Sequence, residues 1–215
     1  MNRYTASCAL AAALALPVAP AGSQPAAPVA DLERGRAIAT QVCAACHGPD
    51  GNSGSSANPK LAGQIAEYTY KQLVDFKASA GGKAQRENAV MAGMVANLSE
   101  ADMRSLAAYY AAQKLKPEAA RDKALAEAGQ KLYRGGNVAA GIPSCAGCHG
   151  PAGEGIPSQY PRIAGQFADY LEAQLKAFRS GARANDPNGM MRGVAARMTD
   201  AEIRAVSEYV AGLRR

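Results

Sequence analysis

Both histidines of this 215-residue chain, and four of its five cysteines, fall inside two pentapeptides of one pattern: Cys43-Ala44-Ala45-Cys46-His47 and Cys145-Ala146-Gly147-Cys148-His149. Nothing else constrains the chain as strongly. Two thiols three positions apart, followed at once by an imidazole, match the attachment signature for c-type haem. The thiols add to the two vinyl groups on the porphyrin edge, and the adjacent histidine swings beneath the ring as proximal iron ligand. Other readings fit less well. A structural zinc ion would need both pairs to close on it, yet they stand 102 positions apart with repeated context around each. A thioredoxin-like redox pair requires no following histidine. A disulfide across two intervening residues closes a tiny loop and restricts little unfolded-chain entropy. The residues therefore point to two haems c, held by thioethers from Cys43, Cys46, Cys145 and Cys148, with His47 and His149 as axial iron ligands.

The fifth cysteine, Cys8, sits in a segment that reads as an address. Met1-Asn2-Arg3 is short and positive, Ala6 to Leu16 is an apolar run of 11 residues, and Ala19-Pro20-Ala21 offers small residues where a signal peptidase reads. Residues 1–21 are expected to be a cleaved signal peptide that takes Cys8 with it, and residues 22–30 a flexible leader rich in Pro and Ala. A membrane span needs about 20 apolar residues, and no segment supplies them. The mature protein is expected to be exported. The 48% hydrophobic and 20% charged residues of the full 215-residue chain are those of a soluble globular protein, which excludes wholesale disorder. The net charge of +6 comes without any Lys/Arg run interleaved with aromatics, so no nucleic-acid partner is expected.

The pentapeptides head an internal repeat. Cys43-x-x-Cys46-His47-Gly48-Pro49-x-Gly51 recurs from Cys145 to Gly153, and Pro59-Lys60-Leu61-Ala62-Gly63-Gln64 recurs as Pro161-Arg162-Ile163-Ala164-Gly165-Gln166. Tyr68, Gln72, Leu73 and Phe76 recur as Tyr170, Gln174, Leu175 and Phe178, all offset by 102. Ser99-Glu100-Ala101-Asp102 recurs as Thr199-Asp200-Ala201-Glu202 at an offset of 100, so two residues are lost in between. The chain is a duplicated domain: residues 31–115, a linker at 116–124, and residues 125–215.

Each half reads as helical, in one order. A helix leads into the cysteine motif (Leu32 to Val42, Leu125 to Tyr133), and the second half inserts Arg134 to Ser144 before its first cysteine. A second helix runs from about Gln64 to Lys77, or Gln166 to Arg179. A last helix opens with a capping box, Ser99-x-x-Asp102 or Thr199-x-x-Glu202. Its apolar positions, Met103, Leu106, Ala107 and Tyr110, matched by Ile203, Val206, Ser207 and Val210, share one face. No alternating strand pattern appears. Halves of about 90 residues are small for a core with 6% aromatics and no Trp. A covalently held porphyrin would supply the missing apolar mass.

Both histidines being spent, the second axial ligand falls to Met, the usual partner in electron-transfer haem. At the offset of 100, Met94 faces Val194, Met103 faces Ile203, Met190 faces Val90 and Met198 faces Leu98. Those four are expected to be exchangeable core fillers. Only Met91 and Met191 share a column, and a ligand cannot be exchanged for Val or Leu, which selects them. Pro59 and Pro161 each follow their His by 12 residues. Their carbonyls either accept the ring Nδ1–H or belong to ordinary loop prolines. Lys60 and Arg162 either neutralise haem propionates or are surface charges. Tyr68, Tyr170, Tyr109 and Tyr209 are expected to pack against core or porphyrin.

With these motifs in place, the sequence resembles the dihaem cytochrome c4 family, built from two class I cytochrome c domains. The resemblance rests on the two CxxCH-Gly-Pro segments, the Pro-[Lys/Arg]-x-Ala-Gly-Gln segments, Met91 in Met-Ala-Gly and Met191-Arg192-Gly193-Val194-Ala195-Ala196. It implies an all-α fold of two tandem cytochrome c-like domains, each wrapped around one covalent haem. It also implies a bacterial periplasmic electron carrier with His47/Met91 and His149/Met191 ligation, associated with the membrane surface, passing electrons between redox proteins toward a terminal oxidase. With both axial positions filled, outer-sphere transfer and no small-molecule substrate are expected. Two other readings stay open: the electron-accepting subunit of a flavoprotein dehydrogenase complex, and a dihaem peroxidase, which would need an open or displaceable iron ligand.

Overall fold

The computed structural model describes residues 29–78 and 82–214. The expected signal peptide with Cys8, and all of the leader except Val29 and Ala30, lie outside those residues. Among these residues five α-helices form in each half. The first half holds α1 (Leu32–Ile38), α2 (Ala44–His47), α3 (Ala66–Phe76), α4 (Ala89–Val95) and α5 (Glu100–Ala111). The second holds α6 (Lys123–Gly135), α7 (Ala146–His149), α8 (Ala168–Ser180), α9 (Met190–Ala195) and α10 (Asp200–Gly212). Among the described residues no strand forms, only two isolated bridges, Asn137 with Ile142 and Ile156 with Tyr160. No described helix is long and apolar enough to cross a membrane.

Helix starts follow from side-chain oxygens that satisfy free backbone N–H groups. Asp31 accepts from the Arg34 N–H at 3.0 Å and Asp122 from the Leu125 N–H at 2.9 Å. Both capping boxes form, at Ser99 with Asp102 and at Thr199 with Glu202. The apolar faces of α5 and α10 are buried as their spacing predicts: Met103, Leu106, Ala107 and Tyr110 in one, Ile203, Val206, Ser207 and Val210 in the other.

In each half the first helix crosses the last at a glycine. A Cβ on Gly35 would collide with the Ser105 carbonyl of α5, and one on Gly129 with the Ala205 carbonyl of α10. Backbone meets backbone at both crossings, and only a residue without a side chain permits it.

The lead-in to the cysteines differs between halves. After α1 the chain continues as a π-helical turn, Ala39–Cys43, directly into α2, so helical backbone runs past the expected end at Val42 to His47. In the second half the insertion leaves α6, makes a 3-10 turn at Val138–Ala140 and returns through Ile142. Ile142 is fully buried against Leu132, Tyr133, Met198, Ile203, Val206 and Val210. The insertion is thus part of the core, and the second core is larger than the first, which centres on Ile38, Ala39, Leu106 and Tyr110.

The change of repeat offset from 102 to 100 is two events rather than one loss. Arg86 N–H donates to the Asp75 carbonyl at 2.9 Å, and Arg183 N–H to the Ala177 carbonyl at 3.0 Å. Arg86 lies over the Phe76 ring and Arg183 over Phe178, at 4.6 and 4.4 Å from the centroids. Asp75 with Ala177 and Phe76 with Phe178 keep the 102 offset, so Arg86 and Arg183 are equivalent at an offset of 97. The second half is shorter by five residues before this arginine and longer by three after it.

Two outcomes follow. Gly129→Ala is expected to lower stability by about 1–3 kcal/mol through overpacking at the crossing, read as a lower urea midpoint at unchanged slope. Arg34, which donates from Nε to Asp102 at 2.7 Å, together with the Ser99 N–H, holds the Asp102 carboxyl down to about 2. An unfolded Asp titrates near 4, so this contribution is complete above about pH 4 and disappears as pH falls toward about 2. Asp102→Asn is expected to flatten that limb of the acid-unfolding curve, followed by circular dichroism.

Candidate functional site

Each CxxCH pentapeptide ends in a single helical turn, α2 or α7, that places both thiols and the imidazole together. Cys43 and Cys145 are half-buried against the two cores, Cys46 and Cys148 are exposed, and none of the four is in a disulfide. Burial pushes the Cys145 thiol up to about 11 and raises Cys43 in the same direction. His47 and His149 are buried. His47 Nδ1 donates to the Pro59 carbonyl at 2.9 Å and His149 Nδ1 to the Pro161 carbonyl at 3.0 Å. A carbonyl oxygen can only accept, so the proton is on Nδ1 and Nε2 carries the free lone pair. Burial lowers both imidazole pKa values, with the proline carbonyls opposing. The two prolines are therefore not ordinary loop residues.

The Pro-x-x-Ala-Gly-Gln motif is held against the cysteine loop by backbone bonds. The Gly51 carbonyl accepts from the Leu61 and Ala62 N–H groups at 2.7 and 3.1 Å, and the Gly153 carbonyl from Ile163 and Ala164 at 2.9 and 3.0 Å. Gly63 N–H then donates to the Tyr110 carbonyl and Gly165 N–H to that of Val210, tying the motif to α5 and α10. Tyr109 donates to the Pro49 carbonyl and Tyr133 to that of Gly150, each bracing the turn after a histidine. Tyr109 thus does more than pack, and Tyr209 lies against Tyr133 with ring centroids 5.4 Å apart.

The methionines divide unequally. Met103 and Met198 are buried, as expected of core fillers, but Met94 and Met190 are exposed, so those two are not. Met94 is an exposed residue of the short α4, and the Met190 sulfur accepts from the Tyr160 hydroxyl at 3.9 Å. Met91 lies in the first turn of α4, its N–H bonded to Asn88 Oδ1 at 2.9 Å. Met191 lies in the first turn of α9, where Asp186 accepts from the Arg192 N–H at 2.9 Å and from its Nε at 2.8 Å.

Between the halves lies a polar interface with near two-fold symmetry. Lys60 is buried rather than on the surface, 3.1 Å from Glu118 and over the Phe167 ring. Arg162 takes part through its backbone: its N–H donates to Gln64 Oε1 at 2.9 Å, and its carbonyl accepts from Gln64 Nε2 at 2.8 Å. Lys60 N–H and C=O bond Gln166 in the same two ways, both at 2.9 Å. Beyond them, Arg86 donates to Gln72 of its own half and to Gln174 and the Tyr170 hydroxyl of the other. Arg183 donates to Gln174 of its own half and to Gln72 and the Tyr68 hydroxyl of the other. Tyr68 and Tyr170 therefore sit between the domains and serve as acceptors. Sequence reasoning missed Arg86 and Arg183 because their offset of 97 breaks the repeat. The recurrence of Gln72 and Gln174, polar residues on buried helix faces, was the available signal.

The donor set fits a covalently attached haem at each site. Two unpaired thiols share a turn with a buried imidazole whose Nδ1 is bonded to a carbonyl, and its Nε2 has no hydrogen-bond partner among the described residues. No three His, Cys, Asp or Glu side chains among those residues converge as a metal cluster. The comparisons agree. The Cytochrome c family profile matches residues 32–113 and 126–214. The chain thus belongs to the cytochrome c family, as a protein of two cytochrome c domains. A cytochrome c4 from Thiocapsa roseopersicina is 52% identical over 195 residues, covering 89% of this chain and 98% of that one. The crystal structure of reduced recombinant cytochrome c4 from Pseudomonas stutzeri superposes with a TM-score of 0.81 at 44% identity, covering 86% of this chain and all of that one. A thiosulfate dehydrogenase electron acceptor from Stutzerimonas stutzeri is 42% identical, covering 81% and 80% of the two chains. Within the family this chain is one of the dihaem cytochromes c4, electron carriers with two covalently bound haems c.

Replacing Arg183 by Met is expected to remove one donor from each of Gln72, Gln174 and the Tyr68 hydroxyl, of which the two glutamines keep Arg86, at a cost of about 1–3 kcal/mol. Arg183→Lys should rescue little, since an ammonium lacks the planar fork that reaches all three. Urea unfolding of the haem-loaded protein measures both.

Proposed function

We propose that this chain is an exported dihaem electron carrier of the periplasm, delivered there by removal of residues 1–21. Its working parts are two domains at residues 31–115 and 125–215. Cys43, Cys46, Cys145 and Cys148 form the thioethers. His47 with Met91, and His149 with Met191, ligate the two irons. The reading is carried by one observation: at both sites a buried imidazole gives its Nδ1–H to a proline carbonyl, leaving Nε2 to face a metal beside two unpaired thiols. Met91 and Met191 are supported by their shared column in the repeat and by equivalent places in the first turns of α4 and α9.

The bound haem supplies a one-electron iron couple. The chain's residues set how that couple is used. With a histidine and a methionine holding each iron, no position would be left for a substrate, and the group would serve outer-sphere electron transfer; Cys46 and Cys148, which would hold it, are exposed. Proline carbonyls hold the imidazoles in one tautomer and orientation. The buried Arg–Gln–Tyr interface keeps the two domains at a fixed separation. Electrons then move between redox protein partners, toward a terminal oxidase as acceptor, with the protein at the membrane surface.

A second reading is favoured by the thiosulfate dehydrogenase electron acceptor of Stutzerimonas stutzeri, similar over most of both chains. In it, this chain receives electrons from a dehydrogenase with which it forms a complex. Copurification with a stoichiometric dehydrogenase would select this reading, and rapid reoxidation by oxidase-containing membranes the first.

Met91→Leu and Met191→Leu are each expected to remove about half of the weak far-red absorption that marks Met–iron bonds in the oxidised protein. Each should also lower the reduction potential of one haem. An unchanged spectrum and potential in either variant removes that residue from the ligand set.

A further inference from the structure

The cross-domain glutamines bond the same peptide groups that hold the two histidines. The Pro59 carbonyl that accepts the His47 ring proton, and the Lys60 N–H that donates to Gln166 Oε1, belong to a single peptide group. The Pro161 carbonyl and the Arg162 N–H form the equivalent peptide, bonded to His149 on one side and to Gln64 on the other. Each glutamine is set in place by its own half. Gln64 Oε1 also accepts from the Ile65 N–H at 2.9 Å, and Gln166 Oε1 from the Phe167 N–H at 3.1 Å. Each glutamine Nε2 also donates to the carbonyl of that same facing residue, Arg162 for Gln64 and Lys60 for Gln166, so it bonds the facing backbone at two points.

A peptide that donates at its N–H becomes a stronger acceptor at its C=O, because hydrogen bonds in a chain polarise one another. A stronger acceptor on Nδ1–H raises the basicity of the imidazole as a ligand. We propose that Gln166 and Gln64 are positioning residues for the iron of the opposite half. Gln166 polarises the peptide that holds His47, and Gln64 the peptide that holds His149. Each domain thereby completes the outer coordination environment of the other's haem. The direction follows from charge: a more basic imidazole favours ferric iron, so loss of the glutamine raises the potential of the haem across the interface.

This inference rests on His47 and His149 being the proximal ligands. The test uses the full-length, haem-loaded protein, with the NMR signals of each haem assigned through its own thioether cysteine. Gln166→Leu is expected to change the ferric-to-ferrous ratio of the His47 haem about threefold to tenfold at fixed ambient potential. Tenfold corresponds to about 59 mV for one electron. It should also shift the His47 Nδ1–H resonance and speed its exchange with solvent, leaving the His149 haem unmoved. Gln64→Leu should do the reverse, and it supplies the test if the first variant fails to load haem. Gln166→Glu, which keeps an oxygen for the Lys60 N–H, should return the His47 proton signal toward its original position. Shifts of both haems together, of the haem in the substituted half, or of neither overturn the proposal. If the ligand assignment itself were wrong, the unsubstituted protein would lack a His–Met spectrum. Failure of the relay alone leaves that spectrum intact.

Discussion

The hydrogen bond from a histidine Nδ1 to a proline carbonyl, made once in each half, is the contact on which the other parts depend. It selects the tautomer, aims the ring and leaves Nε2 as the only free imidazole donor. Its geometry is set from three directions. The helical turn of the pentapeptide places the ring, the bonds from Gly51 and Gly153 hold the proline segment close, and Tyr110 and Val210 of the last helices anchor the following glycine. The first and last helices cross at Gly35 and Gly129 with backbones touching, which brings that anchor within reach. A residue with a Cβ at either glycine would push the last helix away from the motif it supports.

Duplication has been put to use rather than merely retained. Two copies of one motif, Pro-[Lys/Arg]-x-Ala-Gly-Gln, face each other so that the glutamine of each bonds the peptide of the other. Arg86 and Arg183, in the segments that follow α3 and α8, repeat the arrangement, each joining both halves through amide and phenol oxygens. A buried guanidinium, Arg183, and a half-buried one, Arg86, close together would repel. The shared oxygens of Gln72 and Gln174 lie between them and offset that repulsion. A polar interface of this kind fixes relative orientation more sharply than an apolar one, because each bond has a direction.

The halves are not identical, and the differences are local. The first reaches its cysteines through a π-turn, the second through an insertion whose Ile142 enlarges the core. The segments before Met91 and Met191 differ in length on both sides of the equivalent arginines. Such changes alter the polarity and packing near each site while leaving the pentapeptide, the proline and the methionine in place. They provide a physical route by which one repeated fold can hold two haems at different potentials.

Much of this was legible in the residues alone. The CxxCH spacing, the paired capping boxes and the apolar faces of α5 and α10 are local signals, each contained within a few turns of chain, and the structure follows them. The histidine–proline bond was legible as one of two readings, because a spacing of 12 is compatible with both. What the sequence hid were the features made by distant residues. Lys60 is buried beside Glu118, Met94 and Met190 lie at the surface, and Arg86 is the counterpart of Arg183 despite a broken offset. By itself the sequence determined the covalent attachment chemistry of each site, since that depends on residue identity within one pentapeptide. Only the tertiary structure decided which half supports which histidine, because that depends on how two folded surfaces meet.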